Sequence, residues 1–175
     1  MQDWFDSYSD LIGVRLNMIV GSDGEFVDEN GSSRGLSNDL DRKLIGHLRR
    51  RADVVVTGGN TARNELYRVP SHCSLAVISS NFEIDDERYI RLSDPARALE
   101  TLRAAGFERI LLETGPSLSK FFLETDQVDE FCLTVSDGST EIAAKTVATF
   151  GSNLQLFAAE MVEGSLFTRW RRGNA

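Results

Sequence analysis

The sequence predicts a single α/β domain, residues 1–175, on a mostly parallel central sheet whose last strands run antiparallel. Three observations predict it. Apolar runs such as VVV at 54–56 and ILL at 110–112 are unbroken by polar residues, as strands buried on both faces are. Segments of helical period separate these runs. Beyond Ser136 the helical period fades, which suits antiparallel strands closing the sheet. A chain of 175 residues can bury one sizeable core, and no repeat or linker divides it.

VRLNMIV (14–20) reads as a buried first strand, stopped by the turn signal GSDGE. A polar loop follows. From Ser37 the apolar positions Leu40, Leu44, Ile45 and Leu48 share one helical face, with Ser37 or Asn38 as N-cap. ADVVVT is the second strand. The glycines after it do not make a hairpin, because no alternating strand follows directly. TARNELYR instead starts a short helix, capped by Asn60 or Thr61. SLAVIS and YIRL are extended. DPARALETLRAAG is a helix with Asp94 as N-cap, Pro95 in its first turn and Gly106 as its stop. RILLE, the helix PSLSKFFLET and the core strand EFCLTV follow, then strands from KTVATF, NLQLFAA and SLFTRWRR. Arg169, Arg171 and Arg172 read as a solvated strand end, with phosphate binding as the minority reading.

The formal charge of −8 argues against nucleic acid or an anionic membrane as partner. The acidic, aromatic start MQDWFDSYSD is unlike a signal peptide, so a cytoplasmic location is expected. Cys73 and Cys132 are not expected to pair, and with His47 and His72 they lack the spacing of a metal site.

The junctions VVVTGGNT and ILLETGPS have one format: small residues at the end of a buried strand, then a helix start. In open α/β sheets this edge is where ligands sit, and backbone N–H groups there suit a pyrophosphate. Neither junction matches the GxGxxG or Walker patterns. Glycines that merely turn the chain account for one such junction; two on one edge favour a ligand site.

The blocks NMIVGSDGEF, GLSNDLDRKLIGHLRRRADVVVTGGNTARNELYR and ILLETGPSLSKFFLETDQVDEFCLTVS, with the closing GSLFTRWRR, resemble the reductase domain of the riboflavin-biosynthesis deaminase-reductases over most of the chain. That family has the dihydrofolate reductase-like three-layer fold. The resemblance implies an NADPH-dependent reductase, NADH remaining open. Its hydride acceptor would be a small pyrimidine or pterin-like molecule, as for 5-amino-6-(5-phosphoribosylamino)uracil reductase. It also implies a homodimer in which the last strands meet. No deaminase zinc motif is present, so no deaminase domain is expected in this sequence.

The resemblance implies cofactor contacts at Val20, Gly58, Gly59, Thr61, Glu65, Ser79, Gly115, Pro116, Ser117 and Leu118. It places Ser37, with Gly35 and Leu36, beside the substrate, together with Arg63 and Glu113. Glu113 and Asp23 are the implied catalytic residues, with Gly24 bordering the nicotinamide. On the residues alone, Asp23 is equally an Asx-turn residue and Thr61 a helix cap. Glu113, at the end of an apolar strand, must find a partner to be stable there.

The sequence departs from the family pattern in five places. Gly21 stands for a serine, Thr114 for a glycine and Asp137 for a proline. The stretch between the third strand and the Asp94 helix is compressed, as if a strand and its connection were lost. Where the family often has an arginine near the cofactor's 2′-phosphate, this chain has Ser79, Ser80 and Asn81. Two alternatives to the reductase therefore stand: a degenerate member that binds a nucleotide without turnover, and an unrelated α/β nucleotide enzyme.

Overall fold

The computed structural model describes residues 4–136, 138–151 and 153–173. Asp137 therefore lies outside the described residues. The chain runs β1 (Gly13–Val20), α1 (Asp39–Arg50), β2 (Val54–Gly58), α2 (Gly59–Asn64), β3 (Ser74–Ile78), β4 (Tyr89–Leu92) and α3 (Pro95–Ala104). It continues with β5 (Arg109–Leu112), α4 (Pro116–Glu124), β6 (Glu130–Val135), α5 (Thr140–Thr149), β7 (Leu154–Val162) and β8 (Ser165–Arg172). Single 3₁₀ turns form at Trp4–Ser7 and Ser33–Gly35.

The eight strands form one sheet in the order β4-β3-β2-β5-β1-β6-β8-β7. The six from β4 to β6 are parallel, and β8 and β7 add on antiparallel. The compressed stretch still supplies a strand, since β4 pairs with β3 at the edge. Helices cover both faces. α3, α4 and α5 pack Leu99, Leu102, Phe122 and Val147 onto Leu16, Met18 and Leu133. α1 and α2 pack Leu44, Leu48 and Ala62 onto Val55, Leu111 and Cys132, together with Tyr8 from the N-terminal segment. Strand residues alternate between the two layers. Each fully buried Phe or Leu contributes about 1.5–3 kcal/mol to folding.

Three readings need correction. KTVATF is not a strand: it forms most of α5, whose Ser139 accepts a bond from the Ile142 N–H and whose Ala143, Thr146, Val147 and Phe150 face the core. The helical period was present, and the β-branched residues masked it. α2 begins at Gly59 with Gly58 as its N-cap and no side-chain cap, so neither Asn60 nor Thr61 caps it. Arg172 is exposed, but Arg169 and Arg171 are held by the protein and do not form a free strand end. Arg169 is buried over the Tyr8 ring and donates to the Ser7 carbonyl, and Arg171 binds the fully buried Glu130, which also holds Arg15.

Asn38 is the N-cap of α1, its Oδ1 accepting from the Asp41 N–H at 3.0 Å. Cys73 and Cys132 are buried free thiols. Among the described residues no helix is long and apolar enough to cross a membrane.

Candidate active site

The C-terminal ends of β2, β3 and β5 open into a cleft of about 1450 Å³ between α1, α2 and the start of α4. The two glycine junctions meet there. A Cβ on Gly58 would lie 2.8 Å from Leu118 Cδ1, and one on Gly115 would lie 3.1 Å from Thr61 Oγ1. A Cβ on Gly59 would lie 2.5 Å from Ser79 Oγ. Close approach requires glycine at Gly59, with no unusual backbone angle involved, whereas at Gly58 the neighbour is the end of the flexible Leu118 side chain. α4 starts with Pro116 after Gly115, and no side chain caps it, which leaves its first N–H groups to the cleft. Ser117 and Leu118 also line the cleft. The Thr114 hydroxyl shares a 2.8 Å hydrogen bond with Ser119 and so is tied inward.

Glu113 has found its partners. Arg49 of α1 donates to it in bidentate fashion, Nε to Oε1 at 2.8 Å and Nη2 to Oε2 at 2.5 Å. The Tyr67 hydroxyl donates to Oε2 at 2.5 Å. The Arg49 guanidinium also lies over the Tyr67 ring. Burial and the neighbouring Glu113 push the Tyr67 hydroxyl well above its ordinary value, so it stays a donor. Thr57 Oγ1 donates to the Glu113 carbonyl at 2.7 Å and ties β2 to the end of β5.

Glu65 lines the cleft too, but its carboxylate is engaged by the protein. Oε1 accepts from Ser32 Oγ, Ser33 N–H and Ser33 Oγ, and Arg34 sits by Oε2 at 3.3 Å. This pins the 3₁₀ turn at Ser33–Gly35 to the end of α2. Ser37 lines the cleft and donates to Asp41 Oδ2 at 2.7 Å.

Five of the residues expected at the site, Val20, Asp23, Gly24, Gly35 and Leu36, are not among those that line the cleft. Asp23 lies on an exposed turn, where its Oδ1 accepts from the Glu25 N–H at 3.1 Å, the Asx-turn alternative. Gly24 follows with φ +86°, which the turn requires. The Val20 side chain is fully buried, and its carbonyl accepts from Ser136. Gly35 and Leu36 support the loop while Ser37 alone of that segment reaches the cleft wall.

Arg63 and the end of β3 form a polar group on the cleft's rim. Arg63 Nη1 donates to Asn81 Oδ1 at 3.2 Å, Ser79 Oγ donates to the same oxygen at 3.1 Å, and Arg63 Nη2 binds Asn60 Oδ1. No carboxylate pairs with this guanidinium among the described residues. The cleft as a whole is cationic against the protein's net charge: Arg34, Arg42, Arg49, Arg63 and Arg68 line it with Asp41, Glu65 and Glu113.

Sequence reasoning missed Arg49, Tyr67, Asp41 and Asn17. The signal for two of them was available. Asp41, Ile45 and Arg49 recur every fourth residue, one stripe of α1, and all three line the cleft. Two charged residues on a stripe beside the apolar face mark where the helix leaves the core for a site.

A model of the RibD C-terminal domain family matches residues 13–137. A pyrimidine reductase-like protein of Corynebacterium diphtheriae superposes with a TM-score of 0.73 at 18% identity, covering 95% of this chain and 94% of that one. The Acinetobacter baumannii RibD structure gives 0.70 at 16% identity, over 95% of this chain and 59% of that one. A deaminase/5-amino-6-(5-phosphoribosylamino)uracil reductase of Thermotoga maritima gives 0.65 at 14% identity, over 92% and 56%. A search of curated proteins gives no significant match.

Proposed function

Since the chain belongs to the RibD C-terminal domain family, a family of reductase domains, we propose that it is an NADPH-dependent reductase of a small pyrimidine or pterin-like substrate, acting in the cytoplasm. The observation that carries this reading is the meeting of the two glycine junctions on one wall of a single cleft. Gly58, Gly59 and Gly115 leave backbone accessible where side chains would block it, and the start of α4 offers unpaired N–H groups to a pyrophosphate. Its volume is roomy for one small ligand and suits a dinucleotide beside a substrate.

The bound nicotinamide supplies a hydride. The chain's own residues supply position and charge. Arg49 and Tyr67 hold the Glu113 carboxylate in one orientation at the end of β5, where it can accept a hydrogen bond from a substrate hydroxyl or amine. Arg63, with Ser79 and Asn81, supplies the positive charge and the hydroxyl donor that a 2′-phosphate needs, standing in for the arginine missing after the third strand. On this reading Arg63 serves the cofactor, not the substrate. We also propose a homodimer formed through β7.

Thermal unfolding with NADPH, NADH or neither tests the cofactor reading. NADPH at about 100 times its dissociation constant is expected to stabilise the fold by roughly 2.7 kcal/mol, with NADH weaker and Arg63→Gln erasing the difference. No shift with either nucleotide would sink the reading. A second reading is a member that binds the nucleotide without turnover, favoured by the placement of Asp23 away from the cleft. Oxidation of NADPH on addition of the aminouracil ribosyl phosphate separates the two.

A further inference from the structure

The large apolar side chains exposed among the described residues fall in three places. Leu156, Phe157 and Met161 are on β7, the proposed dimer edge, and Ile12 precedes β1. The other two, Val27 at 43% and Leu66 at 71% exposed, line the cleft. A lone exposed apolar residue needs no explanation. Leu66 does, because its backbone is also in the left-handed region, with φ +51°.

That angle belongs to the stop of α2. The Tyr67 N–H donates to the Ala62 carbonyl at 2.9 Å and the Leu66 N–H to the Arg63 carbonyl at 3.3 Å, the pairing of a left-handed helix end. Glycine or asparagine takes this position readily, whereas leucine is strained there. The apolar contact of such a stop is made without Leu66: Ala62 is buried and Tyr67 packs on the same core layer. Leu66 joins neither core layer, and nor does Val27. Both are nevertheless carried on anchored segments. Glu65, beside Leu66, holds Ser32 and Ser33, and Tyr67 on its other side holds Glu113. Phe26, beside Val27, packs on Phe150 with ring centroids 5.8 Å apart, and Asp28 accepts from the Asn30 and Ser32 N–H groups. The fold thus presents two apolar side chains to the cleft, one of them at the expense of backbone strain, and uses neither itself.

We propose that Leu66 and Val27 select a substrate whose pyrimidine-type ring carries an apolar substituent, an aryl or alkyl group, over one carrying a phosphorylated sugar. Leu66 lies past the end of α2 opposite the glycines assigned to the cofactor, and it adjoins the tyrosine that orients Glu113. The apolar pair therefore belongs to the substrate's part of the cleft. Arg34 in the same loop is paired with Glu65 Oε2 at 3.3 Å and serves to hold the loop. Arg68 also lines the cleft and is the cation that a phosphorylated substituent would use instead. This assignment rests on the reductase reading for the choice of ring.

Calorimetry with 6-aminouracil, 6-(benzylamino)uracil and the aminouracil ribosyl phosphate, with and without NADPH, tests the pair. The benzyl compound is expected to bind at least tenfold tighter than 6-aminouracil, and tighter than the phosphate ester. Leu66→Asn should lose most of that gain and Val27→Ser part of it, while the NADPH-induced thermal shift stays as in the wild type. Without ligand, the unfolding midpoint of Leu66→Asn should equal or exceed that of the wild type, since asparagine accepts the left-handed angle. A lower midpoint would give the side chain a structural role and overturn the inference. A benzyl compound that binds no tighter than 6-aminouracil, a phosphate ester that binds tightest, or a gain that survives Leu66→Asn would each overturn it too. A benzyl preference in a protein that NADPH fails to stabilise would keep the apolar pair and remove the reductase reading instead.

Discussion

Glu113 and Asp41 are two buried carboxyl groups in one cleft with opposite surroundings. Glu113 is held by a bidentate guanidinium and a phenol. Removing Arg49 leaves that charge uncompensated, so Arg49→Leu is expected to cost about 3 kcal/mol in denaturant unfolding. Arg49→Leu combined with Glu113→Leu should regain part of the loss, because the stranded charge is gone. Asp41 faces Ser37 and Arg42 of its own segment, Thr134 of β6, and the like charge of Glu113 at the end of β5. Its folded-state pKa is raised, first by burial. From the ordinary aspartate range upward, the native state then keeps a proton that the unfolded chain has released. Stability therefore falls as pH rises through that window to the folded value. Asp41→Asn is expected to flatten this decline and to be more stable than the wild type at neutral pH; a variant as pH-sensitive as the parent would refute the assignment.

At the scale of elements, the parallel strands were legible because burial on both faces leaves unbroken apolar runs such as VVV at 54–56. α3 was legible from its punctuation: Asp94 accepts from the Ala96 N–H, Pro95 opens the helix, and Gly106 stops it with φ +93°. α5 was not, since Thr146, Val147 and Thr149 favour strands by propensity and only packing against the sheet made the segment helical. The glycine junctions were legible as two strand-to-helix turns on one edge of the sheet. Their partners were not, because Gly59 meets Ser79, and Glu113 meets Arg49 and Tyr67, across long sequence separations that no local pattern encodes. The junctions also carry a prediction of their own. Gly59→Ala puts a Cβ 2.5 Å from Ser79 Oγ and 2.7 Å from Ser79 Cβ, so the backbone must shift. A cost of about 1–3 kcal/mol is expected in thermal unfolding. The NADPH-induced shift should weaken by at least as much as in Arg63→Gln. An unchanged nucleotide response would show that this junction only turns the chain.

Across the whole molecule, strand order is the feature least open to sequence reasoning: β1 lies between β5 and β6, so its pairings join distant segments. That order buries β8 between β6 and β7 and leaves β7 as an edge. The two late strands differ in the apolar surface they present. Leu166 and Phe167 of β8 are core residues, whereas Leu156, Phe157 and Met161 of β7 are 50%, 53% and 55% exposed. An exposed apolar edge strand invites pairing with another chain unless it is covered. Arg171 lies over the Phe157 ring at 4.0 Å and Arg169 at 5.1 Å, which fixes that ring in place on the surface. A second copy related by a two-fold axis would bring the same three side chains against one another. The proposed homodimer therefore makes a definite prediction. Sedimentation should give a dimer for the wild type and a monomer for Phe157→Glu with Met161→Glu, with the unfolding midpoint becoming less dependent on protein concentration in the variant. Because both side chains are exposed, the charges cost the monomer little in stability. A monomeric wild type, or a variant that stays dimeric, would remove β7 as the interface and leave its apolar face to some other partner.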